Sequence, residues 1–231
     1  MKQFTRTLNS IGIYTPVQHL LRKIDKVDWL KVWGFFFFVL VCANLIISNF
    51  FEGRDYQEIF WFCNIMSFYL AYGFYFKKAA PVNAALALSV TAQGLWIADF
   101  FLEAFSIGLG RTSLLVSGSA LYLTVLLSLL MHSLIIPMSI WGSFKLGFTD
   151  RALEWMISIL LILLPATYLF TGHIANRNCV FYPCDLTYTQ ALLSGQYMTL
   201  SYFVQTQFFW IIVDVISFYI LYALFYKKRI K

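Results

Sequence analysis

Six long apolar segments constrain this chain more than any other feature of its sequence. They cover residues 33–51, 59–76, 80–105, 114–144, 152–171 and 202–226. An α-helix of about 20 apolar residues crosses the ~30 Å hydrocarbon core of a bilayer. The alternating pattern of a membrane β-barrel is not visible in any of the six segments. The sequence therefore predicts an all-α, polytopic membrane helix bundle with six transmembrane helices.

Composition supports the same class. Of the 231 residues, 60% are apolar and 12% are charged, whereas soluble domains carry about 25% charged residues. The net charge of +6 is explained by membrane topology and by attraction to anionic lipids. We therefore expect membrane lipids as partners and no nucleic acid.

The positive charges predict the orientation of the bundle. With six spans, fourteen of the 17 Lys and Arg residues lie on the side that holds both termini, and only Arg54, Arg111 and Arg177 lie on the other. Because positive residues concentrate on the cytoplasmic side, both termini are predicted to be cytoplasmic. The protein is thus expected to be a multi-pass integral membrane protein, in a membrane that the sequence does not identify.

Three regions follow from this topology. Residues 1–31 have apolar residues at helical spacing between basic ones, which predicts either an amphipathic helix on the cytoplasmic leaflet or a plain basic anchor. They do not have the pattern of a signal peptide. Residues 32–226 form the predicted six-helix domain, with a long outer loop at 172–201. Residues 227–231 form a basic cytoplasmic tail.

The fourth segment contains the strongest candidate for a functional residue. His132 is followed five residues later by Pro137 in a run that is otherwise apolar. A buried imidazole needs a hydrogen-bonding partner. Pro137 has no amide hydrogen, so it frees the carbonyl of Ser133 and is expected to bend the helix. A polar group beside an interrupted hydrogen-bond ladder indicates a cavity.

Other polar residues occur within the spans. Asp99 and Glu103 share one face of the third segment with the turn that holds Trp96, and Asp214 lies near the centre of the sixth. Intramembrane carboxylates usually face a cavity or a partner, and a pair between His132 and Asp214 would satisfy both groups. Asn44 in the first segment is expected to form a hydrogen bond between helices.

Cysteines occur in two settings. Cys42 and Cys63 lie within spans, where a thiol either packs as a small apolar group or, beside a histidine, becomes a nucleophile. Cys179 and Cys184 lie in the outer loop, on the oxidising side, and are expected to form a disulfide. The His and Cys residues do not give a convincing four-ligand zinc site, and no phosphate-binding or hydrolase motif is present. We therefore expect neither a metal nor a cofactor.

Three short stretches resemble one family. Met131-His132-Ser133, with Pro137 five residues after the histidine, resembles the histidine segment of the androgen-induced family of membrane fatty-acid-ester hydrolases. Phe62-Cys63-Asn64-Ile65 falls at that family's catalytic threonine segment and is similar to its cysteine-bearing bacterial and acyltransferase-like relatives. Val180-Phe181-Tyr182-Pro183 has a looser likeness. A second histidine that precedes the first in some members is absent here, since Ser128-Leu129 occupy that place.

The resemblance implies six spans, cytoplasmic termini and a lipid acyl hydrolase or acyltransferase. Cys63 would attack an acyl ester and His132 would accept the thiol proton. Asp99 or Asp214 would orient the imidazole, and Asn64 would donate a hydrogen bond to the oxyanion.

The depths of Cys63 and His132 agree only under one condition. If the fourth span starts at 114, these two residues differ by roughly 10 Å in depth, and the gap closes if the span starts near 121. The alternative function is a membrane transporter or ligand-binding protein in which His132, Asp99 and Asp214 relay a proton or a substrate.

Overall fold

The computed structural model describes residues 27–51, 59–103, 105, 107, 122–171, 178, 180, 193 and 200–226. These residues form six α-helices and no strand. They are α1 (Trp29–Ile46, continued by a π-helical turn, Ile47–Phe51), α2 (Phe62–Tyr75), α3 (Ala79–Glu103), α4 (Tyr122–Leu146), α5 (Arg151–Phe170) and α6 (Leu200–Tyr226). The predicted all-α class is confirmed within this part of the chain.

Five of the six described helices are long and apolar enough to cross a membrane. The exception is α2, whose 14 residues extend only about 21 Å at 1.5 Å per residue. The chain is therefore a multi-pass integral membrane protein, whereas the sixth span and the orientation of the termini stay predictions.

Short connections between helices are stabilised by specific local geometry. Lys77, between α2 and α3, has a positive φ of 54°, and Gly147, just after α4, has a φ of 87°. A left-handed residue after a helix ends it and reverses the chain. The Asp150 side chain then caps α5 by accepting a hydrogen bond from the Arg151 amide at 2.9 Å. These turns make neighbouring helices antiparallel.

Helix α3 is the centre of the bundle, since it packs against α2, α4, α5 and α6, while α2 also contacts α1 and α4. The first part of α3 is surrounded on all sides, because every residue from Pro81 to Ser89 is buried. A helix that is buried all round must be lined with small or apolar residues, and this part of α3 carries three alanines. We call the end of the bundle formed by residues 27–31, 75–81 and 142–152 the inner end, and the opposite end the outer end.

Several predicted boundaries differ from the structure. Helix α1 starts at Trp29 and α6 at Leu200, so Leu30 and Lys31 belong to α1 rather than to the amphipathic segment. Residues 1–26, most of loop 172–201, the tail 227–231 and Cys179 and Cys184 lie outside the described residues. Their predicted helix and disulfide therefore stay predictions.

Candidate functional site

His132 lies near the middle of α4 and is 5% exposed. Its Nδ1 atom is 2.7 Å from the backbone carbonyl oxygen of Ser128, one turn earlier, and 3.4 Å from the Ser128 hydroxyl. A carbonyl oxygen can only accept a hydrogen bond, so Nδ1 carries the proton. In the neutral imidazole, Nε2 then has the unshared electron pair and is the atom that can accept a proton from a substrate or a thiol.

The indole ring of Trp96 stacks on His132. The ring centroids are 3.7 Å apart and the planes differ by 18°. An aromatic face attracts a cationic group, so this contact both fixes the imidazole plane and favours the imidazolium that forms on proton uptake. Trp96 is a site residue that the sequence analysis did not assign, although it lies on the α3 turn next to Asp99.

His132 and Asp214, whose pairing would satisfy both groups, are not hydrogen-bonded to each other. Asp214 is 1% exposed, and neither of its carboxylate oxygens accepts a hydrogen bond within the described part of the chain. The imidazole instead donates a hydrogen bond to the Ser128 carbonyl of its own helix. A histidine four residues after a carbonyl can reach that oxygen without any partner helix, and a sequence pattern does not reveal this local solution.

Asp214 has a defined position relative to α3. The hydroxyls of Thr91 on α3 and Ser217 on α6 are hydrogen-bonded at 3.2 Å. Because the two helices are antiparallel, one turn toward the outer end leads to Gly94 on α3 and to Asp214 on α6. At the level of Asp214, α3 therefore has a glycine, which offers no side chain to pair with the carboxylate.

Asp99 and Glu103 occupy the last turns of α3. Asp99 is 3% exposed and lies three residues after Trp96, whereas Glu103 is the last residue of the helix and is partly exposed. Asp99 is thus the more deeply buried of the two, as its sequence position predicted.

Residue counting from one contact between α2 and α4 gives Cys63 and His132 a similar depth. Gly142 of α4 lies against the Phe74 ring of α2, and the Phe74 and Trp141 rings are 5.9 Å apart. Both helices run from the outer to the inner end. Eleven residues before Phe74 is Cys63, and eleven residues before Gly142 is Met131, the neighbour of His132.

This register removes the depth difference expected for a span that starts at 114. The difference falls to about one residue, or ~1.5 Å along the helix axis. The described helix begins at Tyr122, which agrees with a fourth span that starts near residue 121 rather than at 114. The distance between the Cys63 sulfur and the imidazole stays a prediction.

Asn64, the residue after Cys63, is 1% exposed and its amide orientation is fixed by α1. The Asn44 amide donates to the Asn64 side-chain oxygen at 3.3 Å. This bond confirms the prediction that Asn44 links two helices. The side-chain oxygen of Asn64 is therefore used by α1.

Cys63 itself is partly buried beside the apolar core, and both Cys63 and Cys42 are thiols rather than disulfides. It follows the first residue of α2, and that end of the helix is held by Asn178. The Asn178 side-chain oxygen accepts from the Phe62 amide at 3.3 Å, and its NH2 group donates to the Phe60 carbonyl at 2.7 Å and to the Thr167 hydroxyl at 3.3 Å.

Asn178 therefore caps α2 and ties it to α5, an outer-loop contact that the sequence analysis did not assign to this residue. The positive φ of Asn178, 53°, is a conformation that asparagine tolerates better than most residues. Within the described ranges, no cluster of three His, Cys, Asp or Glu residues could hold a metal ion. The contacts described above join Trp96 to His132 and Asn44 to Asn64, and a site that these residues share with Cys63 stays a prediction.

Comparisons with known proteins give no relative: no family model, no curated protein and no solved structure matches the chain.

Proposed function

We propose that this protein is an intramembrane acyl hydrolase or acyltransferase that uses Cys63 as the nucleophile and His132 as the general base. The observation that supports this proposal is the contact between Phe74 on α2 and Gly142 on α4, from which residue counting gives Cys63 and His132 a similar depth. The resemblance of both segments to the androgen-induced family adds support.

The proposed reaction begins with the Cys63 thiol. Nε2 of His132 takes the thiol proton, and the thiolate attacks the ester carbonyl carbon of an acyl lipid. The NH2 group of Asn64 donates a hydrogen bond to the oxyanion. When the C–O bond breaks, the imidazolium returns the proton to the leaving alcohol, and the acyl group remains on sulfur as a thioester.

A second half-reaction restores the thiol. Water or the hydroxyl of a second lipid loses its proton to Nε2 and attacks the thioester, and the C–S bond breaks as the proton returns to sulfur. Attack by water makes the protein a hydrolase, and attack by a lipid hydroxyl makes it an acyltransferase. Trp96 and the Ser128 carbonyl hold the imidazole and stabilise its charged form, the role first expected of Asp99 or Asp214.

The test uses a matched pair of cysteines. The purified chain, in lipid nanodiscs, is incubated with a fluorescent acyl ester, and thioester formation is read by intact-protein mass spectrometry. We expect Cys63→Ala and His132→Ala each to abolish thioester formation and turnover. Cys42→Ala removes the other span thiol on α1 and should leave both unchanged. Turnover that survives Cys63→Ala in a folded protein would refute the mechanism.

The unpaired Asp214 favours a second candidate, a proton- or substrate-coupled transporter or a ligand-binding membrane protein. A buried carboxyl without a partner is costly, and in membrane spans such groups mark ion and proton pathways. In this case, proteoliposomes should show uptake of a solute or protons that Asp214→Asn abolishes and Cys63→Ala does not. The opposite dependence supports the acyl enzyme.

A further inference from the structure

The helical turn that carries Cys63 has no cap from its own segment. Helix α2 begins at Phe62, and the preceding Trp61 is extended and makes no side-chain hydrogen bond to the first turn. The first amides of a helix have no acceptor within the helix. The Asn64 and Ile65 amides both use the Trp61 carbonyl, at 3.1 and 3.2 Å. The Phe62 amide therefore needs an acceptor from another part of the chain.

Asn178 supplies that acceptor and binds the chain on both sides of Trp61. Its side-chain oxygen accepts from the Phe62 amide at 3.3 Å, and its NH2 group donates to the Phe60 carbonyl at 2.7 Å. One planar amide thus bonds to the main chain before and after Trp61. This fixes the point at which the extended chain enters α2, and Cys63 follows one residue after the second of these bonds.

A contact with α5 fixes Asn178 itself. Its NH2 group also donates to the Thr167 hydroxyl at 3.3 Å, and this hydroxyl donates to the Leu163 carbonyl at 2.7 Å. Asn178 is 4% exposed and Thr167 is 0% exposed, and hydrogen bonds are stronger in such a low-dielectric setting than in water. The turn that carries Cys63 is therefore attached to α5, a helix that carries none of the proposed catalytic residues.

The Phe62 side chain adds an attachment to α6. Its ring lies 5.3 Å from the Trp210 ring, measured between centroids, and both side chains are buried. The residue before the proposed nucleophile is thus held through its backbone by Asn178 and through its side chain by α6. A nucleophile that must meet an ester carbon in one geometry needs this kind of support from the residues around it.

We infer that Asn178 is a positioning residue of the proposed acyl-transfer site: it sets the first turn of α2 and thereby the place of the Cys63 sulfur. This inference rests on the proposed function and adds to it a residue that acts only through the backbone of α2. Without the Asn178 side chain, the Phe62 amide and the Phe60 carbonyl lose a partner, and the first turn of α2 opens locally more often. The thiol then spends less time where it can attack an ester.

The test separates the hydrogen bonds of Asn178 from its backbone conformation. Asn178→Gly removes every side-chain bond and keeps the φ of 53° without strain, because glycine accepts a positive φ. Asn178→Asp keeps an acceptor for the Phe62 amide, but its carboxylate cannot donate to Phe60 or Thr167. Thr167→Val removes only the contact between Asn178 and α5.

Thioester formation on the full chain in nanodiscs is measured with the fluorescent acyl ester. We expect Asn178→Gly to lower kcat by about a hundredfold, the loss caused when a reacting group is misplaced by about 1 Å, with KM unchanged. Asn178→Asp and Thr167→Val should each lower kcat by about tenfold or less, since each keeps the bond to the Phe62 amide.

A second measurement does not depend on activity. The chain is treated with N-ethylmaleimide, and the alkylation of each cysteine is followed by mass spectrometry. Because an open first turn exposes the thiol, Cys63 should be alkylated severalfold faster in Asn178→Gly than in the wild type, while Cys42 on α1 keeps its rate. A variant that is only less stable as a whole would instead expose both thiols together.

Ser143→Ala is the control for a loss of stability alone, since it removes a buried hydrogen bond to Asn83 in the inner half. It should leave both kcat and the ratio of Cys63 to Cys42 alkylation unchanged. A wild-type kcat in folded Asn178→Gly, or an equal rise in alkylation at both cysteines, would overturn this inference alone. If Asn178→Gly does not fold, a wild-type kcat in both Asn178→Asp and Thr167→Val has the same meaning. If no thioester depends on Cys63, the proposed function fails, and with it the role of Asn178 in acyl transfer.

Discussion

The two halves of the bundle are built differently. In the inner half, α3 is buried on all sides from Pro81 to Ser89. The Asn83 side chain there donates to the Gly147 carbonyl at 3.0 Å and accepts from Ser143. In the outer half, α3 is only partly covered. Buried oxygens without partners in the described residues belong to Gln93 and Asp214 in this half and also to Ser139 in the inner half of α4.

The glycines show the same contrast. A Cβ added to Gly34 would lie 2.6 Å from the Tyr75 amide nitrogen and 2.9 Å from the Ala71 carbonyl oxygen, and one added to Gly73 would lie 2.5 Å from Val82. Gly94 has open space instead. Proteins accept imperfect packing and unpaired polar groups mainly where function requires them. The inner half is thus the more closely packed part of the described bundle, and the proposed chemistry lies in the outer half.

The largest expected effect tests the close packing of the inner half. Gly34→Ala forces a methyl group against the backbone of α2, which cannot move aside as a side chain can. We expect a loss of about 3 kcal/mol in the free energy of unfolding, measured by denaturant titration in mild detergent. Gly94→Ala is the control and should be neutral or stabilising by up to about 1 kcal/mol, since alanine favours a helix. Equal losses at both positions would remove the contrast between the halves.

Asn178→Ala should be the next largest change, because it removes the cap of α2 and the tie to α5 together. The Phe62 amide and the Thr167 hydroxyl would lose a partner, which costs about 2 kcal/mol. Hydrogen exchange should increase at the outer end of α2 and stay unchanged around Asn83. Uniform loosening of both halves would contradict a local role for Asn178.

Asp214→Leu should stabilise the fold by about 1 kcal/mol, since it replaces an unpaired buried carboxyl with an apolar side chain of similar size. The free energy of unfolding of Asp99→Leu is measured in the same way, as a comparison with a second buried carboxyl in the outer half. A clear loss of stability in Asp214→Leu would mean that the carboxyl has a structural partner and that the outer half is better satisfied than we infer.

The smallest expected effect is that of an exposed ion pair at the inner end of the bundle. Lys77 bonds to Asp28 at 2.9 Å, and this hydrogen bond is the main reason why the pKa of Asp28 lies below its ordinary value. The pair therefore stabilises the fold above the unfolded pKa of about 3.9, and this contribution disappears as the pH falls through the lower folded pKa. Lys77→Met should flatten that acid-side slope only slightly, because the pair is exposed. A large change would show that the inner surface depends on this ion pair.

The sequence predicted the helices well and the site only in part. Apolar length alone places α1, α3, α5 and α6 to within five residues at each end, because the thickness of a bilayer fixes the length of a span. Asn44 was correctly expected to bond to another helix. The hydrogen bond between His132 and the Ser128 carbonyl was not predicted. Its acceptor is a backbone group of the same helix, and residue identities do not reveal such a bond.

Contacts between distant segments were the other feature that the sequence did not predict. The register of α2 on α4 depends on how Phe74 fits over Gly142, and side-chain shape of this kind is not visible as a sequence period. Trp96 and Asn178 were missed for the same reason, since each acts through a neighbour on another element. One signal was available for Trp96, an aromatic residue one turn from a buried Asp, and none for Asn178, which caps a helix that lies more than 100 residues earlier in the chain.

The most direct test of the central claim measures whether residues 63 and 132 adjoin. Cys63 is kept, Cys42, Cys179 and Cys184 are replaced by serine, and His132→Cys supplies a second thiol; a short bifunctional thiol reagent is then applied in membranes. We predict efficient cross-linking of 63 to 132 and much less to Ile136→Cys, which lies one turn further inward on the same face of α4. A folded protein that cross-links 63 to 136 in preference to 132, or to neither, would contradict the shared site.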